Sequence, residues 1–221
     1  MIFTVADLSV EVKNHLPYIE KICKDYITPQ AVPSLTVSLS QEKSIEQSIE
    51  LLRAVTNELM KGDTFLMHCS ALSYEGNAIL FAAHSGVGKS THAKMWREAF
   101  GDKVTMINDD KPFLRFEGDK LYVFGSPWDG KHHLSTNTKA PVKALCFISR
   151  GDENSIAPLC PSHALNVIFD QVSRSSDPEY MSKLLALLDK MLTTIPIYSL
   201  VCKADHDAAK LARDRMIGDI L

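Results

Sequence analysis

No apolar run in this 221-residue chain approaches the roughly 20 residues that a bilayer-spanning helix needs. The N-terminus, MIFTVADLSVEVKNH, lacks the basic start and unbroken apolar stretch of a secretory leader, so the expected compartment is the cytoplasm and no membrane partner is expected. Basic clusters are also missing and the net charge is −3, which leaves nucleic acid without an electrostatic footprint to bind. A phosphate-bearing ligand would have to be held by local groups. There is no CxxC pair. The five cysteines, Cys23, Cys69, Cys146, Cys160 and Cys202, are dispersed, a pattern of reduced core thiols and not of a disulfide frame or zinc site. Internal repeats, low-complexity tracts and linker-like composition are absent. The length allows one well-buried domain, or one domain with a small appendage.

What is present divides at about residue 62. Residues 2–12 alternate loosely as one strand or two, and LTVSLS (35–40) alternates again. SIEQSIELLRAVTNELMK (44–61) predicts an amphipathic helix, with Ser44 as a candidate cap and Ile45, Ile49, Leu52, Val55 and Leu59 on its apolar face. Gly62 closes it. Residues 1–62 are therefore expected to be a small α+β segment packed on a core formed by residues 63–221. In that core, strands are expected at 65–74, 78–83, 103–109, 142–150 and 195–203, with a hairpin over 113–127. Helices are expected at 91–100, 161–172, 179–192 and over the C-terminal residues. Interleaved strands and helices with apolar strand interiors define an α/β class with a mixed central sheet.

The strongest signal is AHSGVGKST (83–91), which follows an apolar strand and opens a helix. This is the context of a P-loop. Glycines let the backbone fold into a nest of N–H groups around a phosphate, and the helix adds its positive end. Ser85, Gly86, Val87, Gly88, Lys89, Ser90 and Thr91 form the expected cradle. Lys89 can bridge the β- and γ-phosphates, and the Ser90 hydroxyl can ligate magnesium. The first position, ordinarily glycine, is Ala83. The expected ligands are a nucleoside triphosphate, ATP, and Mg²⁺.

The second signal is Asp109-Asp110, at the tip of the strand KVTMIND. P-loop proteins place a magnesium-holding carboxylate at such a tip. Two adjacent carboxylates permit a division of labour, one orienting the metal and one taking a proton from an attacking hydroxyl. A solvated Asp-Asp turn is the plain alternative.

GNAILFAAHSGVGKSTHA followed by INDD resembles the nucleotide site of HPr kinase/phosphorylase and its relatives, whose ATP-binding core is shared with the ATP-dependent phosphoenolpyruvate carboxykinases. The resemblance covers residues 65–150 well, residues 151–221 loosely, and residues 1–60 only in general layout. It implies that His68 lies near the transferred phosphate and that Asp110 is the base. It further implies that Asp109 joins Asp110 as an acidic pair, and that Lys89 and Ser90 contact phosphate and metal. Thr91 stands where HPr kinases proper carry glutamate, and their ERGLG-type segment is replaced by GSPWDGKHHLSTN (125–137). The resemblance thus implies a kinase-like relative with an acceptor other than HPr. The resembled family assembles as rings, which makes a homo-oligomer compatible with the resemblance, although no motif here defines an interface.

The segment GSPWDGKHH carries an unusual density of aromatic and ionisable groups on a loop. Asp129, Lys131 and His132 are candidate acceptor-binding residues, with Lys131 also able to stabilise charge on a transferring phosphoryl group. Trp128 would wall the pocket, or else simply pack in the core. Arg150, ending the strand KALCFISR, is a candidate phosphate contact or a partner for a neighbouring helix. His68 and Cys69 are adjacent on an extended stretch and face opposite sides, which excludes a Cys-His dyad. His84 occupies a permissive loop position, and His92 is expected to be exposed.

The function expected is transfer of the γ-phosphoryl group to a hydroxyl acceptor, a seryl side chain or a small hydroxylated metabolite. The alternative is a regulatory nucleotide-binding module that hydrolyses nucleotide without a dedicated acceptor. No NKxD-type guanine motif is present.

Overall fold

In the computed structural model, which describes residues 1–84 and 86–218, the apolar run NAILFA forms β6 (Asn77–Ala82). Its side chains alternate between two cores: Ala78, Leu80 and Ala82 enter one, Ile79, Phe81 and then Ala83 the other. A strand buried on both faces belongs in the middle of a covered sheet. On one side of β6 lies β5 (Ser70–Tyr74), antiparallel to it and to the next strand, β7 (Val104–Asn108). On the other side β6 runs parallel to β10 (Lys139–Arg150), and β10 runs parallel to β12 (Ile197–Cys202).

The start of β10 pairs with β9 (Lys120–Phe124), the hairpin partner of β8 (Phe113–Glu117), and β8 carries β4 (Thr64–Leu66) at its far side. A short β11 (Ser155–Pro158) pairs with β12. Among the described residues this is one nine-stranded mixed sheet.

Helices cover both faces, as the α/β class expected from the sequence requires. One face receives α3 (Lys89–Phe100) and α6 (His206–Gly218) through Ala93, Trp96, Ala208 and Ala212. The other receives α4 (Pro161–Phe169) and α5 (Pro178–Thr194) through Ile168, Leu184, Leu188 and Met191. No helix among the described residues is long and apolar enough to cross a membrane.

The N-terminal residues form a three-stranded sheet of β1 (Ile2–Val5), β2 (Leu8–Lys13) and β3 (Leu35–Ser38). The helices α1 (Pro17–Cys23) and α2 (Ser44–Lys61) accompany it. Phe3, Val10, Tyr26, Leu51 and Val55 share one core with Phe113, Phe124 and Trp128 of the larger sheet region. Arg115 of β8 donates to the Ala6 carbonyl at 3.1 Å and pairs with Asp7.

Several local readings differ from the structure. The stretch 65–74 is two strands, because Met67 pairs with Val172 and breaks the run before Ser70. The unforeseen α1 and β11 have only seven and four residues, too few to show a period. Ser44 is the first helical residue of α2, not its cap. The buried face of α2 is also rotated: Ile45 and Ile49 are 70% and 52% exposed, while Gln47 is buried. Burial of Gln47 is compensated, since its side chain bonds Leu16 N, Asn14 O and Gln41 O at 2.8–3.0 Å.

Strand direction decides what meets what. β7, β6, β10 and β12 point the same way, and the antiparallel β5 begins where β6 ends, with Ser70 opposite Phe81. The segments after β6, β7, β10 and β12, and the residues before β5, therefore converge at one sheet edge. Ligands of open α/β sheets bind at such carboxyl edges.

Candidate functional site

The loop after β6 adopts backbone that glycine favours, with φ of +80° at Gly86 and +127° at Gly88. Ala83 is not among the residues with positive φ, and it belongs to the same buried core as Phe81, Ala93 and Trp96. Alanine at the irregular first position therefore requires no left-handed backbone. α3 starts at Lys89, with Gly88 as its N-cap. The Lys89 ammonium is buried and donates to the Ala83 carbonyl at 3.1 Å. Burial lowers its pKa, against the opposing pull of Asp110 and Asp109. Ser85, expected in the cradle, lies outside the described residues.

The acidic pair is held by a residue that sequence reasoning missed. Asn108 is fully buried at the end of β7, and its Oδ1 accepts from Asp110 N at 2.8 Å and Lys111 N at 2.7 Å. Its Nδ2 donates to Ser126 O and Oγ at 2.9 and 3.1 Å. This Asx-type turn fixes the direction of the chain through both carboxylates. Asp109 is buried and accepts from Ser70 Oγ at 2.6 Å, while its Oδ2 accepts no hydrogen bond among the described residues.

Asp110 lies 3.1 Å from His68 Nε2 through Oδ1 and accepts from Lys111 Nζ through Oδ2. Burial works to raise the pKa of Asp110, but the hydrogen bonds from His68 and Lys111 outweigh it and the net direction is down. Lys111 was a second omission. Its only sequence signal is adjacency in NDDK.

The segment GSPWDGKHH folds back over this turn. Lys111 N donates to Trp128 O at 3.1 Å, and Ser126 Oγ to Lys111 O at 2.6 Å. Gly130, with φ of +73°, lies so close that a Cβ there would stand 3.2 Å from Asp110 Cβ. Lys131 and His132 line the same cavity as His68, Lys89, Ser90, Asp109, Asp110 and Arg150, a space of about 540 Å³.

Other members of the segment do different work. Trp128 does not wall that cavity: it packs in the N-terminal core, edge-on to Phe3 and Phe113, with Nε1 donating to Ser48 O at 3.3 Å. Asp129 is also not among the cavity-lining residues. Its buried carboxylate accepts from Ser135 Oγ at 3.0 Å and faces His133 Nδ1 at 3.2 Å, which ties the loop to itself.

Arg150 reaches the loop and not a helix, donating to Val87 O at 2.9 Å and Gly86 O at 2.6 Å. Expected to be exposed, His92 is instead buried against Phe81, and its Nε2 accepts from Trp96 Nε1 at 3.0 Å. Burial lowers its pKa to about 4. The expectation failed because the first turn of α3 faces the core on this side. Gln171 adds a further support that the sequence did not suggest. It is buried, its backbone oxygen accepts from His68 N at 2.6 Å, and its amide, turned to donate, lies 3.3 Å from Ala83 O.

Among the described residues no group of three or more His, Cys, Asp or Glu is arranged to hold a metal. The oxygen donors present, Ser90 and the free Asp109 oxygen, suit magnesium, which keeps waters and phosphate oxygens in its shell instead of an all-protein cage.

The protein family described as SynChlorMet cassette protein ScmC matches residues 34–206. No curated protein matches the chain. Solved structures similar to it include the Hpr(Ser) kinase/phosphatase from Coxiella burnetii, with a TM-score of 0.42 and 9% identity over 71% of this chain and 99% of that one.

Proposed function

The chain belongs to the family of the SynChlorMet cassette protein ScmC, and we propose that it is an ATP- and magnesium-dependent phosphotransferase acting on a hydroxyl acceptor. One observation carries this reading. The glycine loop with Lys89 and Ser90, and the acidic pair Asp109-Asp110, arise from two parallel strands and face one cavity.

In that cavity Lys89 neutralises charge on the phosphates, and Gly86, Val87, Gly88 and Thr91 contribute the backbone cradle. Magnesium, held by Ser90 and Asp109, would supply charge neutralisation on the phosphate oxygens. Asp110 is ionised at neutral pH, as its lowered pKa requires, and is oriented by His68. It takes the proton of the acceptor hydroxyl as the acceptor oxygen bonds to the γ-phosphorus and the bond to the leaving oxygen breaks. Lys131 and His132, which line the same cavity, bind the acceptor and meet the phosphoryl oxygens. Arg150 holds the loop by its Gly86 and Val87 carbonyls, leaving phosphate contact to Lys89.

The test is calorimetric ATP affinity, and ADP release with and without hydroxyl acceptors, for the native chain and Lys89→Ala. Loss of affinity in the variant and acceptor-stimulated release in the native chain are expected. Unchanged affinity would remove the phosphate assignment. Lysine-dependent release that no acceptor stimulates would favour the regulatory hydrolase.

A further inference from the structure

A second cavity, also about 540 Å³, opens beyond the phosphate loop at the carboxyl ends of β10 and β12. It shares Gly88, Thr91 and Arg150 with the first, so the two adjoin at the start of α3. Ligand sites span about 300–1,000 Å³, which this space matches. Its position follows from topology. β10 and β12 run parallel to β6, and the crevice outside the ends of parallel strands is where such sheets take ligands.

The walls combine apolar surface with polar and charged groups, as a heteroaromatic base requires. Val87, Ile148 and Cys202 supply the apolar surface. Asp152 and Lys203, both exposed, line the mouth, and the Lys203 charge also acts on the neighbouring Asp205. His92 contributes a fixed donor. Because Trp96 can only donate to His92 Nε2, the neutral ring carries its proton on Nδ1.

The first cavity is lined by the glycine loop together with His68, Asp110, Lys131 and His132, the groups proposed to act on the acceptor. A nucleotide seated with its phosphates on the loop must direct its remaining half elsewhere, and the second cavity is contiguous with Gly88 and Thr91.

We infer that the second cavity is the nucleoside site of a purine triphosphate. The base lies against Val87, Ile148 and Cys202, and its edge is read by Asp152 as acceptor and Lys203 as donor. Adenine and guanine both offer donors and acceptors on one edge, and the two-ring base with its ribose fits a space of this size. The inference rests on the proposed phosphate assignment.

Magnesium tripolyphosphate, which has the phosphate chain and no nucleoside, separates the two. Its affinity is measured by calorimetry beside those of ATP, GTP and CTP, for the native chain, Lys89→Ala, Ala204→Trp and Asp152→Ala. Ala204 is an exposed residue on the cavity wall, so tryptophan there fills the space without entering the core. In the native chain the better purine triphosphate should bind at least about tenfold more tightly than tripolyphosphate, equivalent to about 1.4 kcal/mol.

Ala204→Trp should reduce that affinity to the tripolyphosphate level while leaving tripolyphosphate binding unchanged, which also serves as its folding control. Asp152→Ala, at an exposed position, should narrow the preference for purine over CTP. ATP, GTP and tripolyphosphate binding equally, all dependent on Lys89, would overturn the nucleoside site and leave the phosphate site standing. So would full purine affinity retained in both cavity variants. If tripolyphosphate binding is absent or indifferent to Lys89, the phosphate assignment fails and the inference fails with it.

Discussion

Gly130 lies tight against Asp110: a Cβ added to the glycine would stand 3.2 Å from Asp110 Cβ and 3.6 Å from Cγ, close enough that Asp110 would have to give by a few tenths of an ångström. The contact joins a loop whose composition suggested ligand binding to a carboxylate whose position suggested catalysis. Gly130→Ala should therefore disturb the acidic pair. Alanine at φ of +73° strains the backbone and presses on Asp110. Acceptor-dependent ADP release should fall while ATP affinity stays near native. Native turnover in this variant would detach the loop from the chemistry.

Asp109 and Asp110 differ in their partners, Ser70 for the first and His68 with Lys111 for the second. Asp110→Asn should lose phosphotransfer by at least ~10²-fold, the scale of a general base, and keep ATP binding. Asp109→Asn should instead raise the magnesium concentration needed for half-maximal rate. Since the Asp110 pKa is lowered, the carboxylate stays charged as pH falls through the ordinary carboxylate range, and loss of base function should begin only below it. Identical magnesium titrations for the two variants would contradict the division of roles.

Trp128 and Lys131 are three positions apart yet belong to different parts of the protein. Trp128→Ala should cost about 3–5 kcal/mol in denaturant unfolding, because it empties part of the N-terminal core. Lys131→Ala should leave the unfolding midpoint unchanged and reduce acceptor-dependent turnover. A stable Trp128→Ala protein would contradict the packing role given to the indole.

His92 makes stability depend on acid. Its folded pKa, lowered by burial to about 4, lies below the ordinary value of 6.5, so unfolding takes up a proton between these limits. Its contribution is fully present above pH 6.5 and is lost as pH falls toward 4. Over that window the loss is roughly 3 kcal/mol. His92→Gln, which keeps an acceptor for Trp96, should flatten the slope of unfolding free energy against pH. An unchanged slope would assign the acid sensitivity elsewhere.

The sequence by itself determined the local features that depend on short spacing. Glycines before a lysine and serine, behind the apolar strand Asn77–Ala82, specified the tight turn into α3, because such a turn requires backbone freedom at fixed positions. The two-faced burial of that strand likewise required helices on both sides of a sheet, and the α/β architecture follows.

Only the tertiary structure decided which side chains meet. Whether Trp128 faced a ligand or a core depended on the N-terminal sheet, more than a hundred residues earlier in the chain. The burial of His92 depended on Phe81 and Trp96 closing over one side of α3. Asn108, Lys111 and Gln171 carried no motif, because their roles come from hydrogen bonds to segments brought together by strand direction. Side-chain spacing along one element repeats every two or 3.6 residues and can be read locally. The partners at a shared sheet edge are set by how distant strands pair, which no local period encodes.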